Sequence, residues 1–178
     1  MIGGELNVLL DRRTEHPFKG TWSLPAGILR VDKGKRQGES LDDCAHRTLH
    51  ARTGVSHTDC FIEQLHTFGR AGRDPRTRII SVAWMVGIAP EHAAAIDDTD
   101  SKWCSVSEDV PWMRLGFDHA EIIAKAEERV HRRDDNSGIA FALAPNPFTV
   151  SELRTAFEAL SGRSQDARNF RRRFQRMV

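Results

Sequence analysis

Apolar residues cluster into short runs over roughly the first 115 positions and settle into helical spacing after them. Glu5 to Asp11 (ELNVLLD) predicts a short buried strand, apolar at Leu6, Val8, Leu9 and Leu10. Phe61 to Phe68 and Ile79 to Ile88 predict two more, the second (IISVAWMVGI) being the most strand-like run in the chain. Lys102 to Val106 adds a final strand, Ile28 to Val31 is a brief extended piece, and Glu91 to Asp100 is helical or loop-like. In Leu41 to Arg52, Leu41, Cys44, Ala45 and Leu49 recur at helical spacing and give that helix one apolar face. Strands interleaved with one long helix predict an α/β sandwich for residues 1–115. Three stretches punctuate it: a Gly-, Pro- and aromatic-rich loop from His16 to Gly27, a polar insert from Asp32 to Gly38, and a basic turn from Gly69 to Arg76.

Residues 116–178 read as a second, mostly helical unit. Asp118 to Arg133 is a charged amphipathic helix with Ile122, Ile123, Ala126 and Val130 on its buried side. Asp134 to Gly138 is a break, Pro145-Asn146-Pro147 is a stop, and two helices follow. The first has a full set of start signals. Thr149 and Glu152 form a capping box, Phe148 and Leu153 a hydrophobic staple, and Ser161-Gly162 an end. Its stripe is Val150, Leu153, Phe157 and Leu160. The second, capped by Ser164 or Asp166, buries Ala167, Phe170, Phe174 and Met177 and turns Arg168, Arg171, Arg172 and Arg176 mostly the other way, beside Asn169 and Gln175. Two short helices joined by a tight Gly-containing turn, the second bearing arginines, are the layout of a helix-turn-helix. Arginine and amide side chains suit phosphates and the edges of guanine and adenine; a solvated basic helix at a chain end has the same pattern.

Composition narrows the class. The chain has 178 residues, 39% hydrophobic and 29% charged, which is ordinary for a globular protein. No apolar run approaches the roughly 20 residues that span a bilayer, and Met1-Ile2-Gly3-Gly4-Glu5 lacks the features of a signal peptide. Cys44, Cys60 and Cys104 form no C-x-x-C pair, so reduced thiols and a cytoplasmic location are the expectation. The net charge of +1 hides an asymmetry: six arginines and one acid between Arg163 and Val178 give a local +5.

The segment Gly38 to Val55 is similar to the Nudix box, G-x5-E-x7-R-E-U-x-E-E-x-G-U, with U aliphatic. Glu39 and Arg47 stand at the required separation, and Leu49, Gly54 and Val55 fall in register. The later glutamates are replaced by Thr48, Ala51 and Arg52. In the family those carboxylates bind divalent metals, and hard Mg²⁺ requires oxygen ligands of that kind. The resemblance therefore implies a retained fold without its metal site. It implies no cofactor, Mg²⁺ entering only with residual hydrolase activity, and Glu39 and Arg47 surviving as an ion pair.

Farther along, Leu115-Gly116-Phe117-Asp118-His119-Ala120-Glu121-Ile122-Ile123, Phe148 to Leu153 and Arg168-Asn169-Phe170-Arg171-Arg172 resemble the Nudix-related transcriptional regulators of the NrtR family. That resemblance covers nearly the whole chain. It implies a Nudix-like α/β/α sandwich that senses ADP-ribose or a related nucleotide or sugar, followed by a winged helix-turn-helix. The second unit would bind a palindromic operator as a homodimer and repress genes of NAD metabolism. Arg12 or Arg13, Phe18, Trp22, Arg73 and Arg76 are the implied effector contacts. Core packing is the competing role for Phe18 and Trp22, and an exposed turn for Arg73 and Arg76. Arg163, Ser164, Arg168, Asn169, Arg171, Arg172 and Arg176 are the implied DNA contacts. Two departures stand out. Ala26-Gly27 replaces the usual Gly-Gly, with six extra residues before Glu39. The chain also closes at Val178 where a β-hairpin wing would follow, which implies either a trimmed form or a weaker grip on phosphates. An active pyrophosphatase on ADP-ribose, with Glu63 or Asp74 lending a carboxylate, and a binding module without DNA are the alternatives.

Overall fold

The computed structural model describes residues 4–31, 38–94, 96, 99–110, 113–132 and 137–176. The polar insert from Asp32, most of the break after Arg132, and Met177 lie outside the described residues.

Three strands form one antiparallel sheet in the order β2 (Trp22–Ser23), β1 (Asn7–Arg12), β5 (Ser101–Ser105). The register pairs Leu10 with Lys102, Val8 with Cys104, and Arg12 with Trp22. Alternation along β1 then sorts the two faces. Leu10, Val8, Trp22 and Cys104 pack with Ile123 of helix α3 (His119–Arg132) on one face. Asp11 and Ser101 point the other way, toward helix α1 (Leu41–Thr53), whose Arg52 meets both. The sheet thus lies between α1 and α3, and the expected α/β/α sandwich is present.

A second, two-stranded sheet pairs β3 (Cys60–Phe68) with β4 (Ser81–Ile88), with a bulge between Gln64 and His66. The continuous apolar run of β4 is explained by burial on both faces. Val86 and Ile88 pack with Val55 and with Ala93 of the single-turn helix α2 (Pro90–Ala93). Ala83 and Met85 pack into the largest core. Ile79 and Ile80 stay outside the strand, and Ile80 is largely exposed.

That largest core joins the two halves of the chain. Leu65, Phe68 and Met85 pack with Ile122 and Val130 of α3 and with three further helices: α4 (Ser137–Leu143), α5 (Val150–Ser161) and α6 (Ala167–Phe174). Helix α4, which the sequence pattern does not predict, inserts Ile139, Ala140 and Leu143 here. Gly87 is open to it because a Cβ at that position would approach Ile139 to 2.9 Å. The capping box of Thr149 and Glu152 forms as expected, and Gly162 closes α5 in the left-handed conformation. Asp166, not Ser164, caps α6.

Two expectations about burial fail. Ala167 is exposed, because the cap at Asp166 starts the helix before it turns toward the core. Helix α1 buries none of its residues, and Leu41 is 45% exposed. Polar anchors hold α1 in place of an apolar face: a Ser40–Asp43 capping box, Gly54 at its C-terminus, and the arginine pairs described next.

Candidate effector pocket and nucleic-acid interface

The box helix keeps its frame. Arg47 donates to both Glu39 oxygens, Nε to Oε2 at 2.9 Å and a terminal nitrogen to Oε1 at 2.6 Å, and also to the Ile28 carbonyl at 3.0 Å. The Arg30 amide adds a bond to Glu39 Oε1 at 2.8 Å. The Arg47 hydrogen bonds hold the Glu39 carboxyl down at about 2, against the opposing effect of burial. This carboxylate is committed to the loop before the helix.

The metal positions do not fit Mg²⁺. Arg52 is ion-paired to Asp11 and donates to Ser101 Oγ at 2.9 Å, so a guanidinium stands where a cation-binding carboxylate is needed. Thr48 packs against Gly27, where a Cβ would come within 2.0 Å of its Oγ1, and that buried hydroxyl makes no hydrogen bond of ordinary geometry among the described residues. Ala51 offers no ligand atom. Among the described residues no cluster of three or more His, Cys, Asp or Glu side chains could hold a metal.

Around the N-terminus of α3 the loops converge. Asp118 receives two hydrogen bonds from Arg73, Nε to Oδ2 at 2.7 Å and a terminal nitrogen to Oδ1 at 2.5 Å, and the third nitrogen of Arg73 donates to Ser81 Oγ at 2.7 Å. Burial would raise the Asp118 carboxyl, but the Arg73 bonds and charge outweigh it and leave the group below its usual value. His119 accepts the Leu24 amide on Nδ1 at 2.8 Å, which fixes the neutral ring with its proton on Nε2. Burial lowers this imidazole to about 4. The run Phe117-Asp118-His119 thus pins both site loops.

Arg73 is therefore neither of its two expected roles. All three of its guanidinium nitrogens are used internally, and with a side chain only 4% exposed it is an anchor, not a phosphate ligand or an exposed turn. Trp22 sits in β2 with Lys102 Nζ 4.7 Å above its ring, half-buried against the Leu10–Cys104 cluster. Arg12 is exposed on β1 opposite Trp22. Arg13, Phe18 and Arg76 are brought together by Phe117, a residue to which the sequence pattern assigns no role. Phe18 meets it edge-on with centroids 4.9 Å apart, Arg13 lies 4.7 Å and Arg76 5.6 Å from its centroid. Arg76 also pairs with Asp74 at 2.7 Å, which lowers the Asp74 carboxyl to about 2.

On α6, Phe170 is 2% exposed and meets the Phe157 ring edge-on, while Arg173 stacks over both rings. The aromatic lock turns the opposite side outward. Arg168, Asn169, Arg171, Arg172 and Gln175 line one solvent-facing concavity. Arg163 and Ser164 in the connecting loop, and Arg176 after the helix, are exposed, though they do not line it. Helix periodicity around Phe170 is the signal that marks this face.

An α/β core whose box helix carries Thr48, Ala51 and Arg52 in place of the later glutamates, sharing one hydrophobic core with an arginine-faced helix pair, defines a Nudix-fold domain joined to a helix-turn-helix. Family models match accordingly: a NUDIX domain over residues 1–126 and the NrtR DNA-binding winged helix domain over residues 140–178. The structure is similar to NrtR of Shewanella oneidensis in complex with a 27-mer DNA, with a TM-score of 0.83 and 33% identity over 99% of this chain and 78% of that one. The NUDIX domain of that protein in complex with ADP-ribose matches with a TM-score of 0.53 and 32% identity, over 71% of this chain and 79% of that one. In sequence the chain is 28% identical over 172 residues to the ADPR-responsive transcriptional repressor NtrR of Acinetobacter baylyi, covering 96% of this chain and 66% of the repressor. The chain belongs to the NrtR family.

Proposed function

We propose that this chain is a transcriptional repressor that answers to ADP-ribose or a close nucleotide relative, acts on genes of NAD metabolism, and binds a palindromic operator as a cytoplasmic homodimer. The observation that carries the reading is the α6 surface. Five polar or cationic side chains face solvent together, on a helix held by a buried phenylalanine, as a recognition helix requires. The relatives in complex with DNA and with ADP-ribose supply the two ligand classes. The Nudix unit would bind its nucleotide without hydrolysing it, since Arg52 and Asp11 close the metal position.

Mobility-shift titration of the full chain against family operator DNA, with and without ADP-ribose, tests this. Saturable retardation that ADP-ribose shifts is expected. Retardation unchanged in R171A/R172A would show that α6 is not the reading helix. Incubation with ADP-ribose and Mg²⁺ covers the hydrolase alternative. Release of AMP by the wild type, and not only by T48E/A51E/R52E, would replace the sensor by an enzyme.

A further inference from the structure

Phe18 and Phe117 are the two non-glycine residues with positive φ among the described residues, at 63° and 56°. Bulky side chains rarely adopt this conformation, and such strain persists where the surroundings enforce it, often at ligand clamps. Here the two rings touch, and two guanidinium groups lie within 6 Å of the Phe117 centroid. Gly116 makes room for them: a Cβ there would meet Thr21 Oγ1 at 3.1 Å, Arg13 Cδ at 3.2 Å and Phe18 Cβ at 3.3 Å.

The charges around this ring are unevenly matched. Arg73 is neutralised by Asp118, and Arg76 by Asp74 with Glu15 acting at longer range. Arg13 donates instead to two backbone carbonyls, Pro17 at 2.9 Å and Glu15 at 3.4 Å, and no ion pair involves it among the described residues. A cation fixed by carbonyls and a ring keeps its charge for an external anion. Arg76, whose side chain is 53% exposed, lies 5.6 Å from the centroid of the same ring and has one terminal nitrogen outside its bonds to Asp74.

We propose that Phe117 is the positioning residue of an anion subsite: its ring holds the Arg13 and Arg76 guanidinium groups together to grip the diphosphate of the effector. The proposal deepens the effector reading above and rests on it for the ligand's identity. Arg13 supplies the charge, Arg76 a second set of donors, and Phe117 their spacing.

Calorimetric titration of the full chain with ADP-ribose, inorganic pyrophosphate and adenosine tests it, using wild type, R13Q, F117N and F117Y. Asparagine tolerates φ near +60°, so F117N removes the ring and keeps the backbone. Both phosphate ligands are expected to bind about tenfold more weakly to F117N, the scale of two cation–π contacts. F117Y should match the wild type, adenosine should be unaffected, and R13Q/F117N should bind little worse than R13Q. Wild-type affinity for pyrophosphate in F117N, or a tenfold loss in F117Y, would overturn the assignment. An equal loss for adenosine would also overturn it, by showing that the ring stacks the base directly. Binding of pyrophosphate but not ADP-ribose by the wild type would sink the effector reading and leave the subsite standing; binding of neither would sink both.

Discussion

Arg73 and Asp118 are 45 residues apart in sequence and form a buried two-pronged ion pair, with both partners less than 5% exposed. The pair ties the loop before β4 to the residue that immediately precedes α3. Removing one partner leaves an unpaired charge in the interior, which costs about 3–5 kcal/mol, whereas replacing both with apolar residues is far less damaging. R73M and D118L should each lower unfolding stability by that amount in urea titration. R73M/D118L should lose clearly less than the sum. Additive losses would mean that the pair is not a unit.

His119 makes stability depend on pH. Its imidazole titrates at about 4 in the folded chain and near 6.5 when free. Between those values the unfolded chain binds more protons, so stability is complete above pH 6.5 and falls as pH drops toward 4. The expected loss is about 3 kcal/mol, from 1.36 kcal/mol per pKa unit. H119N keeps an acceptor for the Leu24 amide and does not titrate, so its melting temperature should vary less across this window. An unchanged profile would place the titration elsewhere.

Gly27 and Thr48 fit only as a pair. A methyl at position 27 would sit 2.0 Å from Thr48 Oγ1. G27A should therefore destabilise by about 1–3 kcal/mol, as overpacking does. T48A alone should be mild, because the hydroxyl it removes makes no hydrogen bond of ordinary geometry among the described residues. G27A/T48A should recover part of the G27A loss in thermal melts; a double variant no better than G27A would locate the strain in the backbone.

Arg52 answers Asp11 across the sheet. R52A should cost about 1 kcal/mol, since the pair is partly exposed. R52E should cost more, because it sets a carboxylate beside Asp11, and added salt should narrow the difference. Wild-type melting should be the same in Mg²⁺ and in EDTA. A rise of several degrees in Mg²⁺ would reveal a metal site that these residues do not build.

On α6 the outward and inward faces should separate cleanly. R171A/R172A should weaken DNA binding and reduce the salt slope by about 0.9 for each phosphate that the arginines no longer neutralise, with melting unchanged. F170A should destabilise the chain by about 3–5 kcal/mol, because its ring fills the core against Phe157. Equal effects of both on stability would mean that the arginines hold the fold.

What residues carry locally was legible in the chain itself. Thr149, Glu152 and Gly162 announce α5 because caps act on the nearest backbone amides and carbonyls. The spacing of Phe170 among arginines gives α6 its outer face, and Thr48, Ala51 and Arg52 are read directly at the positions where the box carries glutamates. What depends on partners distant in sequence was decided only by the tertiary structure. Helix α1 has an apolar spacing, yet Arg47 and Arg52 hold it through Glu39 and Asp11, so its spacing did not predict burial. Arg73 reads as a surface arginine until Asp118 closes on it. Phe117 acquires a role only when loops 13–18 and 73–76 meet over its ring, because a ring's neighbours are set by packing between elements and not by its place in the chain.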